Sequence, residues 1–291
     1  MKVVLNPRAG RGRAGREEDV ASAVLSGMGV DFEIERTTGP GGAVEVARRA
    51  VESGFDTVAA MGGDGTTNEV VNGIAGTGAT LGLIPCGTGN DFAVAMGIPK
   101  DVREACRILA AGKTRRVDLG RVNDKYFIST FGVGFDARVT REVNQGFKFA
   151  RGILVYILAV MKVIWTYAPE RMHLVVDGEE VVVDAPLLVA VANWQSYGGG
   201  MRICPEASVD DGVFDVCVVA NMSKLRFLQS FPRVISGTHV RLPEVRIVRA
   251  KSVRIKCGRM EPFHIDGEVF DASEMEFTLL PEGMSVIAGE V

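Results

Sequence analysis

Over roughly its first 120 residues the chain alternates short apolar runs with helix-like stretches, and each apolar run ends in a loop that carries glycine. The strand-like runs are Lys2 to Leu5, Asp31 to Arg36, Thr57 to Met61 and Thr80 to Ile84. Between them lie helix-like segments over Glu17 to Ser26, Ala43 to Glu52 and Asn68 to Ala75. Parallel strands need a long crossover, usually helical, so this alternation specifies a parallel sheet with helices on its faces. Ligands of such sheets bind at the carboxyl ends of the strands. The loops Asn6-Pro7-Arg8-Ala9-Gly10, Thr37-Thr38-Gly39-Pro40-Gly41-Gly42, Gly62-Gly63-Asp64-Gly65 and Gly87-Thr88-Gly89-Asn90-Asp91 are therefore expected to share one cleft.

From about Arg121 the rhythm changes to many short β-branched runs, among them Lys125 to Thr130, Leu187 to Ala192, Val213 to Val219 and Met275 to Leu279. That pattern predicts an antiparallel sandwich, with Asp177-Gly178 and Asp266-Gly267 as tight hairpin turns. Two helical insertions interrupt it, near Asp136 to Trp165 and Lys224 to Ile235. The expected fold class is a Rossmann-like α/β domain over residues 1–120 followed by an antiparallel β-sandwich domain over 121–291, with the last strand free to return to the first domain.

With 291 residues and 47% apolar content the chain can fill two cores. A net charge of −3 argues against a protein that wraps nucleic acid. Five scattered cysteines with no Cys-x-x-Cys pair signal neither a zinc site nor a disulfide framework, and Asn6-Pro7 follows too closely on Met1 for a signal peptide. A reducing, cytoplasmic setting is the expectation. The segment Gly152 to Ala168, flanked by Lys148 and Arg151, is too short for a comfortable span. It reads either as a packed helix or as one that touches a membrane surface.

The stretch Gly62 to Glu69 brings three glycines around one carboxylate, a pattern that suits phosphate chemistry because glycine lets backbone N–H groups approach an anion. Asp64 by itself could equally cap a helix, and Asp91 could do the same. His173, His239 and His264 are too dispersed for a triad and read as structural. Arg8, Arg11, Arg13 and Arg16 could clamp phosphates or form a solvated basic loop.

Taken in order, Asn6-Pro7-x-x-Gly10, Gly62-Gly63-Asp64-Gly65-Thr66, Gly87-Thr88-Gly89-Asn90-Asp91-Phe92, Asp118-Leu119-Gly120, Asp210-Asp211-Gly212 and Asp266-Gly267-Glu268 resemble the diacylglycerol kinase catalytic-domain family of lipid kinases. The resemblance covers the whole chain. It implies a phosphofructokinase-like nucleotide-binding domain and transfer of the γ-phosphoryl group of ATP to a lipid hydroxyl. It further implies that ATP is held by Asn6, Pro7, Arg8, Ala9, Gly10, Thr37, Gly62, Gly63, Asp64, Gly65, Thr66, Thr67, Asn68, Gly87, Thr88, Gly89 and Asn90. Mg²⁺ would be held by Asp64, Asp91 and Asp118, directly or through waters, and a second, structural Mg²⁺ by the Asp211 carboxylate with the backbone carbonyls of Ser208 and Val213. The family's base corresponds either to Asp64 or to Asp266 with Glu268. The expected partner is a lipid substrate met at the inner membrane face by peripheral contact, with an apolar slot beside the Ile153 to Ile164 helix; homodimerisation is left open. A soluble-substrate kinase of the NAD kinase type shares the first glycine-rich loop and is the alternative.

Overall fold

The computed structural model describes residues 1–146 and 153–290, so Lys148, Arg151 and Gly152 lie outside the described residues, as does Val291. The chain forms two compact units, Met1–Leu119 with Pro281–Val291, and Gly120–Leu280.

The first unit runs β1 (Lys2–Leu5), α1 (Ala9–Arg16), α2 (Glu18–Gly27), β2 (Glu33–Arg36), α3 (Gly42–Glu52), β3 (Thr57–Gly62), α4 (Asp64–Ile74), β4 (Thr80–Pro85), α5 (Asp91–Ala95), α6 (Val102–Ala111) and most of β5 (Thr114–Val122). The second runs β6 (Lys125–Phe127), β7 (Thr130–Gly134), α7 (Phe135–Gln145), α8 (Ile153–Val163), β8 (Met172–Val176), β9 (Glu179–Val183), β10 (Leu188–Ala192), β11 (Phe214–Val219), α9 (Lys224–Ser230), α10 (Arg233–Ser236), β12 (Val245–Ala250), β13 (Ser252–Ile265) and β14 (Glu268–Ile287). The far end of β14 belongs to the first unit.

In the first unit β2, β1, β3 and β4 are parallel neighbours in that order, and the end of β14 adds beside β4 by pairing Ser285 with Thr80 and Val286 with Leu81. The central strands are buried on both faces, as an all-parallel sheet covered by helices requires. Leu25 of α2 and Cys106 and Leu109 of α6 close one face over Val3, Leu5, Ala59 and Ile84. α3 and α4 cross so closely that a Cβ on Gly73 would lie 2.7 Å from that of Ala47.

Helix α4 starts at Asp64, four residues ahead of the expected Asn68. Glycine costs least in a first turn, whose N–H groups have no intrahelical partner to lose, and Thr66, Thr67 and Asn68 are buried there. A second difference is at Lys125 to Thr130, which is two strands rather than one run.

In the second unit β12, β11, β10, β7 and β13 pair antiparallel, while β13 also pairs with β14 and β8. Around a register shift between Lys256 and Glu261, β13 pairs with β8 at one end and with β7 at the other, and the strands enclose a core containing Phe127, Phe131, Phe214 and Phe277. A separate apolar cluster lies under α7, α8 and α9. Among the described residues no helix is long and apolar enough to cross a membrane.

Candidate active site

Parallel order places the four glycine loops side by side at the carboxyl ends of β1 to β4, and side chains lock them together. Asn6 donates from Nδ2 to Thr66 Oγ1 at 3.0 Å, and its Oδ1 accepts the N–H of Arg8. Thr37 donates its N–H to the carbonyl of Leu5. Gly10 has φ +58°, and a Cβ there would collide with the carbonyl oxygen of Cys86, so only glycine lets the first loop lie on the fourth. The third and fourth loops touch backbone to backbone: a Cβ on Gly87 would sit 2.5 Å from Gly63 Cα. The N–H groups of Cys86 and Gly87 both donate to the Gly62 carbonyl. Asn90, at φ 61°, closes its own loop by accepting from Gly87 N–H and donating to the Gly87 carbonyl, both at 2.9 Å.

Asp64, the first residue of α4, reaches across this contact and accepts the N–H of Asn90 on Oδ2 at 2.7 Å. Burial pushes its carboxyl above the ordinary carboxylate range, against the N–H groups of Asn90, Asp91 and Phe92, which favour the ionised form. A Cβ on Gly89 would meet both Asp64 Oδ2, at 2.8 Å, and Asp91 Oδ2, at 3.4 Å, so the two carboxylates flank the same small space. The N–H groups of the first turn of α4 open at the same end of the sheet, with the positive end of the helix dipole behind them. Lys100 donates to the carbonyl of Thr88, and Glu69 accepts the N–H groups of Gly41 and Ala43 at the start of α3. Of the loop arginines, Arg13 is committed to the Lys100 carbonyl and Arg16 to that of Arg11, while Arg8 is exposed.

Asp118 is buried in β5 and accepts the N–H of Glu282 at 2.8 Å. Among the described residues no three His, Cys, Asp or Glu side chains converge as a metal cage. The pair Asp64 and Asp91 nonetheless fits Mg²⁺, which is commonly held by one or two carboxylates with phosphates and water completing the octahedron.

The second metal set expected from the resemblance joins the Asp211 carboxylate to the backbone carbonyls of Ser208 and Val213. Asp211 accepts the N–H of Val213 on Oδ1 and pairs with the Arg249 guanidinium through Oδ2, so its charge is already met. In this structure the cation beside Asp211 is the Arg249 guanidinium.

In the second unit Asp266 (φ 47°) and Gly267 (φ 90°) turn between β13 and β14. The Asp266 carboxylate accepts three backbone N–H groups, from Ile128, Ser129 and Thr130, at 2.8 to 3.0 Å. This latch is what breaks the Lys125 to Thr130 run into two strands. These contacts fix the Asp266 carboxylate in the turn, two residues ahead of Glu268 in the chain. Asp177, in the other Asp-Gly-Glu turn, likewise accepts the N–H groups of Lys251 and Ser252. Glu268 is half-buried at the start of β14.

Sequence reasoning missed a buried polar cluster in this unit. Tyr197 OH donates to Asp136 Oδ2 at 3.2 Å, His264 Nε2 lies 3.3 Å from the same oxygen, and Ala137 N–H donates to Oδ1. The three side chains come from positions more than sixty residues apart, with no local spacing to reveal them. Burial and the neighbouring Asp136 push the Tyr197 hydroxyl up. Asp136 and Tyr197 border an apolar cavity whose walls include Val139, Tyr156, Val160, Val219 and Phe227. The cavity lies beside the Ile153 to Ile164 helix, which lines it through Tyr156 and Val160.

Comparison with known proteins matches residues 1–122 to the diacylglycerol kinase catalytic domain and residues 129–288 to the YegS C-terminal NAD kinase beta sandwich-like domain. The chain is 34% identical over 294 residues to a diacylglycerol kinase of Mycobacterium tuberculosis (strain ATCC 25618 / H37Rv), covering 99% of this chain and 94% of the relative. It is 31% identical over 290 residues to a diacylglycerol kinase of Bacillus subtilis (strain 168), covering 98% and 95%. Its fold matches the crystal structure of a diacylglycerol kinase from Bacillus anthracis str. Sterne with a TM-score of 0.78 at 23% identity, covering 99% and 96% of the two chains. An NAD kinase from Archaeoglobus fulgidus in complex with ATP matches with a TM-score of 0.55 at 14% identity, covering 99% and 94%, a likeness of fold alone.

Proposed function

Since this chain belongs to the diacylglycerol kinase catalytic-domain family and is a lipid kinase, a phosphotransferase with an alcohol acceptor, we propose that it moves the γ-phosphoryl group of ATP to the free hydroxyl of a diacylglycerol in a Mg²⁺-dependent reaction. The observation that carries this reading is the contact of the two glycine loops, which aims the start of α4 and the Asp64 and Asp91 carboxylates at one point. Phosphoryl transfer asks mainly for positioning and charge neutralisation. The open N–H groups at the start of α4 would receive phosphate oxygens, while Asn6 and Thr66 keep the first loop against them. Asp64 and Asp91 would hold Mg²⁺, which when bound neutralises phosphate charge. For the proton of the lipid hydroxyl we assign Asp64 as acceptor, on its place at the meeting of the two loops. The apolar cavity of the second unit supports an acceptor with acyl chains rather than a soluble one.

The test is a labelled-ATP assay with diacylglycerol, sphingosine, phosphatidylglycerol and NAD as acceptors, each with and without Mg²⁺. Label in diacylglycerol that requires Mg²⁺ is expected. Label in NAD and in no lipid would overturn the reading.

A further inference from the structure

Apart from Lys162, the side chains of helix α8 are apolar or aromatic, yet one side of it is exposed. Ala159, Val160 and Val163 are buried, whereas Leu154 is 50% exposed, Leu158 41%, Met161 43% and, in the turn that follows, Trp165 61%. Steps of four, three and four put these four side chains on one stripe. A helix hydrophobic all round belongs inside a core or against lipid, and scattered single residues would not form such a line. Lys224 of α9 donates to the Trp165 carbonyl at 2.7 Å with its ammonium 5.6 Å from the indole centroid, and its chain neighbour Leu225 is 68% exposed. Lys162 pairs with Glu142 on the other side.

We infer that this stripe, with Trp165 and Leu225 at its end, is a docking surface for a lipid bilayer. The occupant follows from continuity: Tyr156 and Val160 of the same helix line the apolar cavity, so α8 separates that cavity from whatever covers the stripe. Choosing a bilayer over a second copy rests on the lipid-kinase reading, since the cavity's ligand must come out of a membrane. Lysines beside an amphipathic indole suit the polar rim of an interfacial helix. Eleven residues are about 16 Å at 1.5 Å per residue, so α8 lies on the surface and does not cross it.

The test is sedimentation with vesicles of equal parts phosphatidylcholine and phosphatidylglycerol, in the absence of nucleotide. The triple variant Leu158→Glu, Met161→Glu, Trp165→Glu is expected to partition at least about tenfold more weakly than the parent. Its circular dichroism melt and its rate on monomeric dioctanoylglycerol should be unchanged, because none of the three residues lines the cavity. In a Trp194→Phe background the emission of Trp165 should shift to the blue when vesicles are added. Equal partitioning of parent and triple variant, or no blue shift, overturns the inference. So does a parent that is dimeric without vesicles and becomes monomeric in the variant, which would assign the stripe to a second copy. Stripe-dependent vesicle binding by a protein that phosphorylates no lipid would uphold the surface and remove the activity.

Discussion

At Asp64 burial and hydrogen bonding pull against each other, and burial prevails. A carboxylate whose folded pKa is raised destabilises the fold while ionised, so the native state loses stability as pH rises through that pKa. Asp64→Asn removes this loss yet keeps an oxygen for the Asn90 N–H. The variant is expected to melt above the parent at pH 8, with the gap closing as pH falls, while kcat drops about 10²- to 10⁴-fold, the usual worth of a general base. A scan of melting temperature and rate against pH checks both halves; an unchanged rate removes Asp64 from catalysis. Asp266 predicts the reverse pattern. Its three N–H contacts mean that Asp266→Asn should cost about 1–3 kcal/mol in urea unfolding, as unpaired buried polar groups do, with kcat within a few-fold of the parent. A collapse of kcat with the fold intact would make Asp266 the base. At this scale the sequence was half legible. Asp64 stood out because its glycine neighbours are adjacent in the chain, but Asp266 and Asp177 share the same Asp-Gly-Glu wording, and only distant N–H partners reveal that both are latches.

At the scale of elements, the parallel strands and their crossovers were legible because a buried strand and a helix write different local periods. What local pattern does not encode is contact between loops. The Gly63–Gly87 contact joins residues separated by a strand and a helix, and it leaves no room for a side chain. Gly87→Ala, with its Cβ 2.5 Å from backbone, must push the third and fourth loops apart. It is expected to raise the KM for ATP by at least about tenfold, because a 1 Å misplacement can cost a hundredfold, while the KM for diacylglycerol stays put. Steady-state kinetics in both substrates measure the split, and an ATP KM equal to the parent's would mean that this contact does not shape the nucleotide site. The same limit explains the break between β6 and β7, set by Asp266 on a hairpin far along the chain.

At the scale of the molecule, the first unit is built from two pieces of chain, Met1–Leu119 and Pro281–Val291. Local sequence marked a change of rhythm near residue 120 and could only allow a returning strand, since nothing in residues 281–287 names the strand they join. That return completes the unit's core and hydrogen bonding. Met284, Val286 and Ile287 are buried, Ala288 and Gly289 donate to the carbonyls of Lys113 and Met96, and the Glu282 N–H satisfies Asp118. Burial of a large apolar side chain is worth about 1.5–3 kcal/mol before the entropy of ordering the segment is subtracted. A fragment of residues 1–119 should therefore lack a cooperative melt. It would expose the edge of β4 and leave the Asp118 carboxylate without the Glu282 N–H. Joining residues 281–290 to its end through a flexible Gly-Ser linker should restore a cooperative transition and nucleotide binding by calorimetry, since the linker replaces only the second unit. If the 1–119 fragment melts cooperatively and binds nucleotide unaided, the returning strand is an ornament of the first unit and not part of its core.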